Sequence, residues 1–250
     1  MRSAVMRVGT AGWSVASRYQ ALFAPSGSHL ERYAQRLNAV EINSSFYRHH
    51  RASTYRRWAE SVPADFRFAV KVPRTLTHGG ALTPLPDVLE QFATEVEGLD
   101  TKLGVLLVQL PPKLAFDASS AQRFFAALRK RINAAIACEP RHPSWSSTHA
   151  ARVLTECGVA RVAADPSLWP GADQPDGCDR LAYFRWHGQP QIYYSNYNQQ
   201  QLEALWHQVS IATNTAEQVW VIFDNTALGH ALGNALTTLE TMKLNTVSEK

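Results

Sequence analysis

Eight short runs of β-branched and apolar residues, each followed by a stretch of helical period, divide the chain at roughly the thirty-residue pitch of a βα unit. The runs are Met6–Thr10, Ala39–Asn43, Phe66–Val72, Gly104–Leu110, Ala134–Glu139, Val159–Asp165, Leu181–His187 and Gln218–Asp224. Strand then helix, repeated without a second compositional block, predicts parallel strands joined by crossovers. Eight such units in 250 residues match the size of a TIM (β/α)8 barrel, here expected as a single domain over residues 1–250. A doubly wound open sheet is the alternative fold, but the first run leads into GTAGWS, which lacks the GxGxxG phosphate fingerprint.

The helical stretches carry apolar stripes. In SGSHLERYAQRL, Ser28 and Glu31 form a candidate capping box, and Leu30, Tyr33, Ala34 and Leu37 share a face. Tyr55, Trp58, Ala59 and Val62 make a second stripe, Ala121, Phe124, Phe125 and Leu128 a third, and Leu202, Leu205, Trp206 and Val209 a fourth. Gly98 and Gly158 stand where helices need a left-handed stop. The sixth unit breaks the pattern: DPSLWPGADQPDGCD (165–179) has prolines, glycines and aspartates in place of a stripe, which predicts an irregular loop and a candidate lid. After Met242 the chain is polar, and residues 243–250 are expected to fray.

Composition narrows the class. With 45% hydrophobic residues the chain can bury a large core, and no uncharged apolar run approaches the ~18 residues of a membrane span. The N-terminus has no signal-peptide pattern. Three cysteines, Cys138, Cys157 and Cys178, lack CxxC spacing and fit neither a disulfide framework nor a zinc knuckle, so a cytoplasmic location is expected. A net charge of +4 favours anionic partners without the dense basic clustering of a dedicated nucleic-acid binder.

Strands covered on both faces should read almost continuously apolar, and several here do not. Side chains alternate along a strand, so in AVEIN Val40 and Ile42 oppose Ala39, Glu41 and Asn43. In FRFAVK the phenylalanines and Val70 should face the helices, leaving Arg67, Ala69 and Lys71 for the interior. Ala135, Ala137 and Glu139 share a face of the fifth run, and Tyr183, Arg185 and His187 a face of the seventh. The polar members fall near strand C-termini, the end at which TIM barrels place their sites. Pro140 and Pro143 keep Glu139 and His142 from helical backbone, so ACEPRHPSW is expected to run extended over the rim.

The segments EINSSFYR (41–48), FAVKVPRTLTH (68–78), LLVQLPP (106–112), CEPRHPSW (138–145) and FDNT (223–226) resemble the YecE-like family, domain of unknown function 72. The resemblance runs from GTAGW (9–13) to the helix containing Asn234. It implies a TIM barrel and no established reaction. Its motif positions fall on Gly12, Trp13, Glu41, Asn43, Tyr47, Lys71, Gln109, Glu139, Arg141, Trp145, Asp165, His187 and Asn225. FDNT departs from the FNNT form found in many members and adds the carboxylate of Asp224.

These residues predict an enzyme acting on an anionic, phosphorylated or nucleotide-like small molecule. Lys71, Glu41 and Glu139 are the candidate catalytic groups: the lysine as anion holder, acid or base, or Schiff-base former, and the glutamates as an acid/base pair. Trp13, Asn43, Tyr47, Gln109, Arg141, Trp145, Arg185, His187 and Asn225 are the candidate substrate contacts, with Arg74 and His78 on the anion-binding rim and Trp169 as a further stacking surface. The plainer reading is that Glu–Arg and Glu–Lys pairs only neutralise one another inside the barrel. No cofactor is expected; a divalent metal held by Glu139, Asp165, His187 and Asp224 is the alternative, although HExxH is absent. Nucleic-acid binding and a non-catalytic scaffold complete the set of readings.

Overall fold

The structure is a computed structural model describing residues 4–79 and 82–248, with side chains as far as Met242. Its strands are β1 (Val5–Thr10), β2 (Ala39–Ile42), β3 (Arg67–Lys71), β4 (Leu103–Gln109), β5 (Ala135–Glu139), β6 (Val159–Arg161), β7 (Ala163–Asp165), β8 (Asp176–Gly177), β9 (Leu181–Trp186) and β10 (Gln218–Phe223). Its helices are α1 (His29–Ala34), α2 (Ala52–Glu60), α3 (Arg74–Thr77), α4 (Pro86–Val96), α5 (Ala118–Arg131), α6 (Thr148–Glu156), α7 (Gln199–Ala212) and α8 (His230–Ser248). Each expected strand run contains a strand, and the sixth is divided at Val162.

The strands form two sheets, ordered β1-β10-β9-β7 and β2-β3-β4-β5-β6-β8. Every pairing is parallel except that of β8 with β6. The result is a mixed α/β fold with parallel sheets, where one continuous barrel sheet was expected. Two contacts link the sheets. Ala11 bridges Glu41 in the parallel sense, with the Gly12 N–H donating to the Glu41 carbonyl at 2.8 Å. On the other side, β6 pairs with β5 and β7 with β9, while the Val162 N–H between them donates to the Cys138 carbonyl at 2.8 Å.

Alternation sorts the residues into two cores. Val40, Ile42, Phe66, Phe68 and Val70 join the helix-side cluster, whereas Ala39, Ala69, Val105, Leu107, Ala137, Ala160, Leu181, Tyr183, Trp220 and Ile222 form a second cluster on the opposite face of the strands. Tyr183 and Trp220 stack there at 5.9 Å. Toward the strand C-termini this second face changes from apolar to polar, and there the groups of the site begin.

Local signals explain most boundaries. The Ser28–Glu31 capping box closes in both directions and starts α1. Gly158 has φ +64° and ends α6 in the left-handed conformation. Gly98 does not: it lies inside a 3-10 turn, and the reason for a glycine is approach, since a Cβ would fall 2.2 Å from the Ala52 carbonyl oxygen of α2. The C-terminal segment expected to fray is helical through Ser248 as part of α8. The irregular sixth unit is present, but it is fastened where a lid would be free. β8 pairs with β6, Arg161 bridges Asp176 at 3.1 Å and donates to the Gly171 carbonyl, and the Ala164 N–H donates to Ala172.

Candidate functional site

The ends of β2, β3, β4, β5, β9 and β10 deliver Glu41, Lys71, Gln109, Glu139, Arg185 with His187, and Asp224 to one place. Arg185 is the hub, 1% exposed. Its Nε and Nη2 grip Glu41 at 3.0 and 2.7 Å, Nη1 reaches Glu139 at 2.5 Å, and Nη2 also reaches Asp224 at 2.9 Å. The planar fork of guanidinium donors allows one side chain to serve three carboxylates from three strands. Tyr183 adds a donated hydrogen bond of 2.8 Å to Glu41.

His187 bridges the remaining oxygens, with Nδ1 3.0 Å from Asp224 and Nε2 3.0 Å from Glu139. Both neighbours are carboxylate oxygens, an arrangement that a protonated ring with two N–H donors satisfies. Burial alone would lower its pKa, but Glu139 and the two hydrogen bonds outweigh it and the net shift is upward. Arg141 Nη2 donates to the same Glu139 oxygen at 2.5 Å, and its 3.4 Å approach to His187 follows from sharing that oxygen, because a protonated imidazole accepts no hydrogen bond. Burial would raise the pKa of Glu139, yet Arg185, then Arg141 and His187, hold it well below the usual carboxylate range. Asp224 is likewise held low, chiefly by Arg185 against burial.

Lys71 stands apart from this network. Its Nζ donates to the neutral Oε1 of Gln109 at 2.7 Å and lies 4.3 Å from the Phe46 ring centroid. Among the described residues no carboxylate is within salt-bridge distance of it, because Arg185 and His187 already engage those nearby. Burial first, and then repulsion from Arg185, lower the Lys71 pKa to about 8 against the pull of Glu41, Glu139 and Asp224. The expected Glu–Lys neutralisation is therefore not formed. Four cations, Lys71, Arg141, Arg185 and His187, face three carboxylates, leaving one positive charge in excess on the side of Lys71.

Glu41 and Glu139, the expected acid/base pair, are both engaged by the Arg185 guanidinium, and Glu139 is driven downward. Of the alternative metal set, Glu139, His187 and Asp224 come together and Asp165 stands apart. Both nitrogens of His187 already face carboxylates, and Asp165 turns to the Tyr197 hydroxyl at 2.5 Å and to Gln189. Among the described residues no group of three or more His, Cys, Asp or Glu side chains is arranged to hold a metal ion.

Other expected contacts divide clearly. Asn43 and Arg141 sit half-buried beside the network, and the Asn43 Oδ1 and Arg141 Nε atoms are buried without a protein partner. Tyr47 is 74% exposed next to Phe46. Trp145 is a packing residue and not a pocket wall: it is 2% exposed, edge-on to Phe116, with its indole N–H donating to the Leu114 carbonyl. Asn225 is fully buried and ties the loop after β9 to α8 by donating to the Ser195 carbonyl and to Asn234 Oδ1. Trp13 packs edge-on against Trp58, and Trp169 lies against Arg161. Arg74 is exposed, whereas His78 is half-buried with its ring 5.0 Å from Phe46.

Three further residues complete the site beside the candidate contacts. Phe46 supplies the ring face under Lys71, Tyr183 holds Glu41, and Tyr193 covers His187 edge-on at 5.7 Å. Tyr183 was readable from its alternation with Arg185. Tyr193 was not: it reaches the site because its backbone takes φ +71° and its N–H turns back to the His187 carbonyl.

The DUF72 family model, described as a protein of unknown function, matches residues 7–249. Escherichia coli K12 YecE is 31% identical over 142 residues, which is 54% of this chain, and the chain spans about half the length of that relative, 52%. Bacillus subtilis YunF is 24% identical over 95% of the chain and 94% of its own length. Among solved structures, a DUF72 protein of Enterococcus faecalis superposes with a TM-score of 0.80 at 22% identity, covering 96% of both chains. One from Thermotoga maritima gives 0.77 at 23% identity, covering 96% of this chain and 99% of that one. No described helix is long and apolar enough to cross a membrane. With the family model matched over nearly its whole length, the chain belongs to the DUF72 family.

Proposed function

We propose that this protein is an enzyme that binds an anionic small molecule, phosphorylated or nucleotide-like, at the strand C-termini, with Lys71 as its reactive group. The observation that carries the reading is the Lys71 amine: buried, hydrogen-bonded only to the neutral Gln109 oxygen, and excluded from the ion pairs around it. A dehydrated lysine left unpaired is costly unless something pairs with it. An anion entering beside Lys71 and Arg141 offsets the excess positive charge and meets the Arg141 Nε–H, a buried donor that has no protein partner. In this reading Arg185, Glu41, Glu139 and Asp224 are positioning residues that keep the cations in place, Gln109 orients the amine, and no cofactor is assigned. The two sheets are read as two arcs of a TIM-type barrel, joined at Ala11–Glu41 and at Val162, in a single domain working in the cytoplasm, where three free cysteines are at home.

Calorimetric titration with phosphate monoesters tests this. Binding is expected for the wild type and is lost in Lys71→Met and Arg141→Ala. Equal affinity in all three proteins, or none in the wild type, would refute the reading. The exposed Tyr47, Tyr193 and Tyr194 favour single-stranded nucleic acid as the second reading. In that case affinity should fall steeply with salt as phosphates displace counterions, whereas a closed pocket responds less.

A further inference from the structure

Resting on the anion-binding reading of the same site, we propose that Lys71 forms a covalent imine with the substrate, which is therefore an aldehyde or ketone carrying a phosphate or carboxylate group. The geometry separates the two tasks of such a site. Arg141 and the excess positive charge attract the anionic group, while the Lys71 amine projects from the last residue of β3, held by Gln109 on one side and flanked by the Phe46 ring. A lysine that only bound phosphate would gain from full protonation and a nearby carboxylate. Here the three nearby carboxylates are taken by Arg185 and His187, and burial and the Arg185 cation work against the charge on the amine. Burial and Arg185 together bring the Lys71 pKa to about 8, so near neutrality a useful fraction, on the order of a tenth, is the free nucleophile.

The step balances without an oxidant or reductant. The neutral amine nitrogen adds to the carbonyl carbon, and one N–H proton passes to the oxygen to give a carbinolamine. With one further proton taken up, the C–O bond breaks, water leaves, and the nitrogen pair forms the C=N bond. The positive charge of the ammonium is thus kept on the iminium, whose single N–H still has Gln109 Oε1 as acceptor. The surrounding carboxylates stabilise that charge without bonding to it, and an iminium so placed draws electrons from the adjacent carbon. Bond cleavage or proton removal next to the former carbonyl is the class of reaction this supports.

Borohydride trapping tests the proposal. The full chain is incubated at about pH 7.5 with pyruvate, glyoxylate, glycolaldehyde phosphate or dihydroxyacetone phosphate, reduced, and mapped by peptide mass spectrometry. A trapped imine adds the probe mass less one oxygen. We expect the adduct on Lys71 with at least one probe, about a hundredfold faster than on free Nα-acetyl-lysine, following the difference in free-amine fraction from an ordinary lysine, with the exposed Lys113 and Lys130 as controls that label little. Lys71→Arg keeps the charge and should abolish it. Equal labelling of the three lysines would overturn the proposal. Probe binding by equilibrium dialysis with no adduct on Lys71 would overturn the imine alone and leave the anion site standing; neither binding nor adduct would remove both.

Discussion

Replacing Arg185 with methionine removes four hydrogen bonds to three carboxylates in a group that is 1% exposed. Methionine fills most of the volume, so the loss is one of charge. Breaking a buried ion pair by removing one partner costs about 3–5 kcal/mol, because the remaining charge stays dehydrated. For a chain of this length that corresponds to a fall in Tm of roughly 6–20 °C. The pH dependence distinguishes this from a packing defect. In the wild type, Glu139 and Asp224 have folded pKa values below their unfolded values of about 4. Their contribution is thus present above that pH and lost as pH falls through the folded values. In Arg185→Met the same carboxyls lose the cation that does most to hold them low while burial remains, so their folded pKa values move upward and the penalty grows as pH rises through that range. Urea unfolding of both proteins between about pH 4 and 8 measures this: the difference should be greatest near neutrality and shrink on the acid side. A pH-independent difference, or one below about 1 kcal/mol, would refute the account of Arg185 as counter-charge.

Lys71→Met should stabilise the protein near pH 7 by up to about 3 kcal/mol while abolishing anion binding, because the depressed lysine favours unfolding until pH rises through the interval from about 8 to its unfolded value. Unfolding at pH 7 and about 10 checks it, and the gain should shrink to below about 1 kcal/mol at the higher pH. Asn225→Ala strands the Ser195 carbonyl and Asn234 and should cost about 1–3 kcal/mol in urea unfolding; its anion affinity, by titration, stays close to wild type if the residue only ties the loop. Gly98→Ala should destabilise by about 1–3 kcal/mol, since α2 must move away from the new methyl group, and unchanged stability would remove the close-approach explanation. Tyr193→Gly relieves about 1–2 kcal/mol of left-handed backbone strain but uncovers His187, so thermal stability is expected to hold while ligand affinity drops.

Much of this protein was legible in its residues because the governing physics is local. Period-two alternation decides which side of a strand each residue faces, and on that basis Glu41, Lys71, Glu139, Arg185 and His187 were placed on one face, as the structure has them. Capping chemistry likewise placed the start of α1. What alternation cannot supply is the distance between strands far apart in the chain, and the chemistry of the site depends on that distance. Glu41 and Glu139 look like an acid/base pair in sequence; folding brings Arg185 between them and makes them counter-ions. Trp145 and Asn225 have the composition of a pocket wall, but which side of a loop they line is set by packing against Phe116 and Asn234. Tyr193 belongs to the site only through a positive φ that its neighbours impose. The sequence alone determined an α/β chain with its polar groups gathered at strand C-termini, because hydrophobic period and turn chemistry act over a few residues. Only the tertiary structure decided which charges cancel and which lysine remains unpaired, because Coulomb interactions in a dehydrated interior depend on ångström separations between strands far apart in the chain, 144 residues for Arg185 and Glu41.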